Sequence, residues 1–148
     1  MSPPDLPFEL QLTLRSGTVY YFEHRCIYSS EPHFFAVINA DPQSNHLLIL
    51  PVGSSQVATV QSRRKHLPPE TLVIVDPAEY PDFSKQTIFD CNQLFELSRE
   101  ELVQKFKTKG LRHHRDLPKT ILEKIWKGVH ASPRVDEAYK QFLPPEEV

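Results

Sequence analysis

Glycine is scarce in this chain, with 4 in 148 residues against 14 prolines. That scarcity excludes the glycine-rich loops that cradle phosphates, and no Gly-x-Gly-x-x-Gly or Walker-type run is present. Cysteine is scarcer still. Cys26 and Cys91 stand in different segments without Cys-x-x-Cys or Cys-His spacing, which leaves no disulfide framework and no metal finger and points to a reduced, cytoplasmic chain. No apolar run approaches the roughly 20 residues that span a bilayer. The start also lacks the basic and hydrophobic regions of a secretory signal, so no membrane partner is expected. Neither sign of charge dominates: 17 Lys and Arg against 19 Asp and Glu give a net charge of −2, so any site for a polyanion must be a local patch. With no phosphate loop and no paired metal-ligand motif, no cofactor is expected.

An apolar share of 39% and a charged share of 24% fit one domain, residues 1–148, with a real core. Its first part, residues 8–90, has strand character. Residues 8–14 alternate Phe8, Leu10, Leu12 and Leu14 with polar residues, the mark of a half-buried strand. Arg15-Ser16-Gly17 then predicts a turn into residues 18–23 as the hairpin partner. A polar loop over residues 24–32 precedes two apolar runs, 34–40 and 46–52, which read as central strands joined by a turn at residues 41–45. Residues 71–76 and 86–90 complete a set of about six strands. The prolines sit almost wholly at these boundaries and punctuate the elements.

Helices are expected over residues 98–142. Ser98 and Glu101 form a Ser-x-x-Glu capping box, flanked by Leu97 and Leu102 as a hydrophobic staple. Lysines 105, 107 and 109 favour the helix end, and Gly110 reads as its stop. Ile121, Leu122, Ile125, Trp126 and Val129 recur on one helical face after Pro118. Ser132-Pro133 reads as the cap of a short last helix carrying Val135, Ala138, Tyr139 and Phe142, and the tail from Pro144 as frayed. Strands first and helices later indicate an α+β fold, a small curled antiparallel sheet with helices on one side.

The residues that could do chemistry are few. Residues 51–55, Pro-Val-Gly-Ser-Ser, follow an apolar strand and read as a turn presenting the hydroxyls of Ser54 and Ser55 to a phosphate; serines in turns are also simply turn formers. No Gly-x-Ser-x-Gly elbow specifies a nucleophile. His33, just ahead of a strand, could carry a proton near neutral pH or be a partly exposed strand-entrance residue. Arg63, Arg64 and Lys65 cluster in the long connection between strands, where they could hold a phosphate backbone or merely be solvated. Lys85 is a further loop cation. His113-His114 lack the spacing that brings two imidazoles to one metal, and Asp90 and Asn92 read as turn residues that bond the backbone.

The order of these segments resembles the PemK/MazF toxin family. Gly17-Thr18-Val19-Tyr20, the loop residues Ser30-Glu31-Pro32 and the strand Phe35-Ala36-Val37-Ile38 resemble its first half. Leu48-Ile49-Leu50-Pro51-Val52-Gly53-Ser54 resembles the strand ending in Pro-x-Thr/Ser-Ser. Thr87-Ile88-Phe89-Asp90 and the Leu-Ser-x-Glu-Glu-Leu helix start at Leu97 resemble its later elements. The resemblance implies an SH3-like antiparallel β-barrel with C-terminal helices and a metal-independent endoribonuclease acting on single-stranded RNA. It further implies a cognate antitoxin and a homodimer. On it, His33, Ser54 and Ser55 are the expected catalytic residues, and Arg63, Arg64, Lys65 and Lys85 the RNA-binding ones. The chain departs from the family in carrying His33-Phe34-Phe35 where an Arg-Pro opens the central strand, so a catalytically inactive barrel module binding protein or RNA is the alternative.

Overall fold

The computed structural model describes residues 6–27 and 31–146; Ser30 of the family-like loop and the last two tail residues lie outside them. The elements run α1 (Phe8–Thr13), β1 (Val19–Phe22), β2 (His33–Ala36), β3 (Leu47–Leu50), β4 (Val52–Ser54), α2 (Val57–Arg63), β5 (Leu72–Val75), β6 (Thr87–Asp90), β7 (Phe95–Ser98), α3 (Arg99–Lys107), β8 (Arg112–His114), α4 (Lys119–Ala131) and α5 (Glu137–Lys140). Six strands form an antiparallel sheet in the order β5-β6-β4-β2-β1-β8, and β3 pairs with β7 in a second, two-stranded sheet. The α+β expectation holds. The ladder does not close into a barrel among the described residues, because the chain leaves one sheet for the other at Pro51, between β3 and β4. Pairing of the β2 backbone nevertheless runs on past that proline: the Ala36 N–H donates to the Pro51 carbonyl (3.3 Å) and the Ile38 N–H to the Ile49 carbonyl (3.2 Å). The two sheets therefore meet along one long, bent strand.

Phe8–Thr13 form a helix where residues 8–14 were expected as a strand. Alternation at every second residue contains a spacing of four, and burial selects it: Leu6, Leu10 and Leu14 are buried while Phe8 and Leu12 are 71% and 59% exposed. With α1 unable to serve as a hairpin partner, β1 pairs instead with β2 and β8. The unstructured connection expected before residue 71 contains α2 and a 3-10 turn, Pro69–Thr71. Likewise the Pro-Val-Gly-Ser-Ser segment is no turn. Its Val52–Ser54 portion is strand β4, held between β2 and β6.

The C-terminal part follows its sequence signals more closely. Ser98 caps α3 in a full capping box: its hydroxyl accepts from the Glu101 N–H at 3.1 Å, and the Glu101 carboxylate accepts from the Ser98 N–H at 3.2 Å. The helix ends at Lys107, three residues before Gly110. Lys109 takes the left-handed conformation (φ 61°), and Gly110 donates back to the Lys105 carbonyl at 2.8 Å. The histidine pair, His113-His114, lies in edge strand β8. Helix α5 begins after Asp136 and not at Ser132-Pro133.

Alternation along the strands divides the apolar residues between two cores. One, with Val19, Ala36, Val73, Phe89 and Phe83, is covered by Ile121, Ile125 and Val129 of α4. The other, with Tyr20, Phe22, Phe35, Leu50 and Phe95, is covered by α1 and by Leu102 of α3. No helix among the described residues is long and apolar enough to cross a membrane.

Candidate active site

A cleft of about 340 Å³ opens where β2, β4 and β6 meet α2, on the face of the second core. Three of the seven expected site residues line it: His33, Ser54 and Arg63. Register explains the first two. Phe34 pairs with Gly53 and Ser54 with Ile88, so continuing the β2–β4 register by one residue sets His33 opposite Ser54, with Ile88 beside them on the same face. Gly53 makes the close fit in the middle strand. A Cβ there would lie 3.0 Å from the Thr87 methyl and 3.3 Å from the Phe89 ring.

Phe34 points the other way, into a cluster with Phe83 and His114, each with ring centroids 5.0 Å from its own. The strand-entrance side chain that meets the cleft is therefore His33. Its Nδ1 is buried without a hydrogen-bond partner. The Ser54 hydroxyl accepts from the Gln56 N–H at 3.1 Å, a local turn that leads the chain into α2 and leaves the hydroxyl proton free to donate.

The basic run divides by position. Arg63, in the last turn of α2, is exposed on the cleft rim. Arg64 caps the helix and turns inward. Its Nε donates to the Asp90 carboxylate at 2.8 Å, and the two side chains are only 11% and 7% exposed. Asp90, a cleft residue at the end of β6, is held from its other side as well: its Oδ1 accepts from both the backbone N–H and the side-chain amide of Asn92, each at 3.0 Å. Asn92 in turn donates to Thr71 Oγ1 (2.9 Å) and accepts from Ser132 Oγ (2.6 Å). A carboxylate so fully engaged anchors α2 to β6 and ties both to the end of α4. Lys65, Ser55 and Lys85 are exposed and do not line the cleft.

Gln56 and Cys26 line the cleft too, and sequence reasoning passed over both. Cys26 carries no signal as an isolated thiol, and Gln56 could be found only by knowing that a helix begins there. Burial pushes the other thiol, Cys91, upward and out of reach of nucleophilic chemistry. Among the described residues, no three His, Cys, Asp or Glu come together as a metal-binding group.

No protein-family model matches the chain, and no curated protein matches it. Among solved structures it is similar to an endoribonuclease in complex with its cognate antitoxin from Mycobacterial species. The match has 10% identity and a TM-score of 0.52, over 90% of this chain and 99% of that one. The chain has the fold of that endoribonuclease. The family resemblance read from the sequence is thus borne out at the level of fold, over nearly the full length of both chains.

Proposed function

We propose that the chain is a PemK/MazF-like toxin, an endoribonuclease that cuts single-stranded RNA in the cleft between β4 and α2. The observation that carries the reading is the meeting of His33, Ser54 and Arg63 in one cleft on an endoribonuclease fold. In this reading the two sheets are the halves of a small SH3-like barrel, joined where the chain passes from β3 through Pro51 to β4.

The chemistry asked of these groups is attack by a ribose 2′-hydroxyl on the adjacent phosphorus. His33 takes the 2′ proton as the 2′ O–P bond forms. The P–O5′ bond breaks, and the imidazolium returns a proton to the departing 5′ oxygen, leaving a cyclic phosphate. Ser54 donates its free proton to a phosphate oxygen, and Arg63 supplies positive charge where negative charge develops. The cation absent from the strand entrance thus comes from α2, whose position the Arg64–Asp90 pair fixes. Lys65 and Lys85, both exposed, and Ser55 serve the RNA backbone beyond the reacting phosphate. A protein antitoxin that covers this basic rim is the natural inhibitor, and a homodimer is the assembly the family resemblance implies.

The purified chain is expected to cleave a mixed RNA pool. His33→Ala is expected to lower the rate by about 10²- to 10⁴-fold, and Arg63→Ala to lower kcat more than it raises KM. An RNA pool left intact, or a His33→Ala variant as active as the parent, overturns the proposal. A second reading is favoured by one feature, the arginine missing from the strand entrance: a module that binds RNA or protein without cutting. RNA retained but uncut would select it.

A further inference from the structure

The chain leaving β1 passes through one buried histidine before it reaches the cleft. His24 is 4% exposed and boxed by the rings of Phe22, Phe35 and Phe95, with centroids 6.2, 5.6 and 5.3 Å from its own. Both ring nitrogens are used. Nδ1 accepts from the Cys26 N–H at 3.0 Å, and Nε2 lies 2.8 Å from the carbonyl oxygen of Glu96 in β7. A backbone amide can only donate and a carbonyl can only accept, so the ring proton sits on Nε2 and is donated to Glu96. The His24 carbonyl in turn accepts from the Ile27 N–H at 3.1 Å.

These partners form part of the cleft wall. Cys26, Ile27 and Phe95 line the cleft along with His33, Ser54 and Arg63. His24 does not line it, yet it holds the first two by their amides and packs edge-on against the third. Two other contacts tie the same segment to α3: Lys105 Nζ donates to the Glu23 carbonyl, and Arg25 pairs with Glu101. Both are exposed, where such contacts contribute little. A buried bond that loses one partner leaves the other unmatched, which costs more, so His24 is the stronger tie.

We propose that His24 is a positioning residue for the cleft: its ring sets Cys26, Ile27 and Phe95 as the surface that seats a nucleoside of single-stranded RNA beside the reacting phosphate. Unpaired bases are held on aromatic and apolar faces. These residues bring such a face to a cleft whose hydroxyl and cation are engaged with phosphate. The role rests on the ribonuclease reading for its substrate, but not for its geometry.

Two substitutions separate the two bonds of the ring. His24→Asn keeps an acceptor for the Cys26 N–H, since asparagine bonds the amide two residues on, and loses the reach to Glu96. His24→Gln extends toward Glu96 and loses the local bond. Amide exchange at Cys26 is expected to quicken about five- to tenfold in His24→Gln and to stay near the parent rate in His24→Asn. Affinity for a labelled pool of single-stranded 2′-fluoro RNA, which carries no attacking hydroxyl, should fall by a similar factor in His24→Gln and be restored in His24→Asn. In cleavage, His24→Gln should raise KM with kcat little changed. A loss of stability alone would move both variants together, so variants that behave alike overturn the proposal. Faster exchange at Cys26 with RNA affinity unchanged overturns it too. Ile27→Ala removes part of the wall at a half-buried position without touching the ring, and unchanged affinity there also counts against the seat. A parent chain that binds the pool but leaves RNA uncut would overturn the ribonuclease reading while the contrast between the two variants still supports His24; a parent that binds no RNA overturns both.

Discussion

Strands β6 and β8 sit at opposite ends of a contrast in how this sheet handles charge. All four residues of β6 are buried, and its Asp90 is met by Arg64 and Asn92 so that every strong interaction is made within the chain. At the edge, β8 leaves Arg112 and His113 exposed, and one side of its backbone has no ladder partner among the described residues. The Asp90 of β6 fixes an α-helix over a cleft, whereas Arg112 and His113 of β8 are held outward. Position in the sheet decides the difference. An interior strand cannot leave a charge unmatched, whereas an edge strand can.

The contrast can be broken at its buried end first. Asp90→Ala strands the Arg64 guanidinium at 11% exposure and is expected to cost about 3–5 kcal/mol in denaturant unfolding. It should also loosen α2 and with it the placement of Arg63. A loss no greater than that of a surface substitution would mean that water reaches Arg64 readily and that the anchor is not needed. Gly128→Ala tests the packing behind the same strand: a Cβ there would stand 2.7 Å from the Glu70 carbonyl oxygen and 2.8 Å from Cys91 Sγ. We expect a destabilisation of roughly 1–3 kcal/mol, and an unchanged midpoint would show that α4 can slide on the sheet. Ser98→Ala removes one half of the capping box and should cost about 1 kcal/mol, read by thermal unfolding.

Toward the edge the effects shrink and become matters of pH. Burial by itself would raise Asp82, but the Arg115 N–H and the side chains of His114 and Arg115 hold it below the ordinary carboxylate range. A carboxylate depressed in the fold binds fewer protons there than in the unfolded chain, so its stabilisation is complete above the ordinary carboxylate pKa. It is lost as pH falls through the depressed value. Asp82→Asn should flatten the acid limb of the stability profile, and an identical limb would assign that slope to other carboxylates. Arg112→Ala, at the free edge, is expected to change stability by no more than about 0.5 kcal/mol. A larger loss would show that β8 uses its cation within the chain, and the contrast with β6 would fail.

Much of the fold could be read before the structure, where one element's signal was self-contained. The capping box at Ser98 needs only four consecutive residues to be recognised, and the continuous apolar runs of β2, β3, β5 and β6 name their own state. Helix α1 defeated the same reading because leucines at 6, 10 and 14 and exposed residues at 8 and 12 make a perfect alternation on paper. Only the site of burial tells the two periods apart. Short β7 and β8 had no pattern of their own; pairing with β3 and β1 makes them strands. The candidate site was half legible. Ser54 and His33 were found by type and place, but the company of Arg63, Gln56 and Asp90 depends on a seven-residue helix whose sequence, VATVQSR, shows little periodicity.

The sequence by itself determined which segments are apolar, where α3 and α4 begin, and that hydroxyl, imidazole and guanidinium groups lie within one stretch of some thirty residues, since these follow from local chemistry. Tertiary structure alone decided that Phe34 faces away from the cleft while His33 faces it, and that Arg64 closes on Asp90 while Arg63 stays exposed at the cleft. The reason is geometric. Neighbours along a strand emerge on opposite faces, neighbours on a helix diverge by about 100°, and only packing against a second element selects which of two adjacent residues is turned to the site.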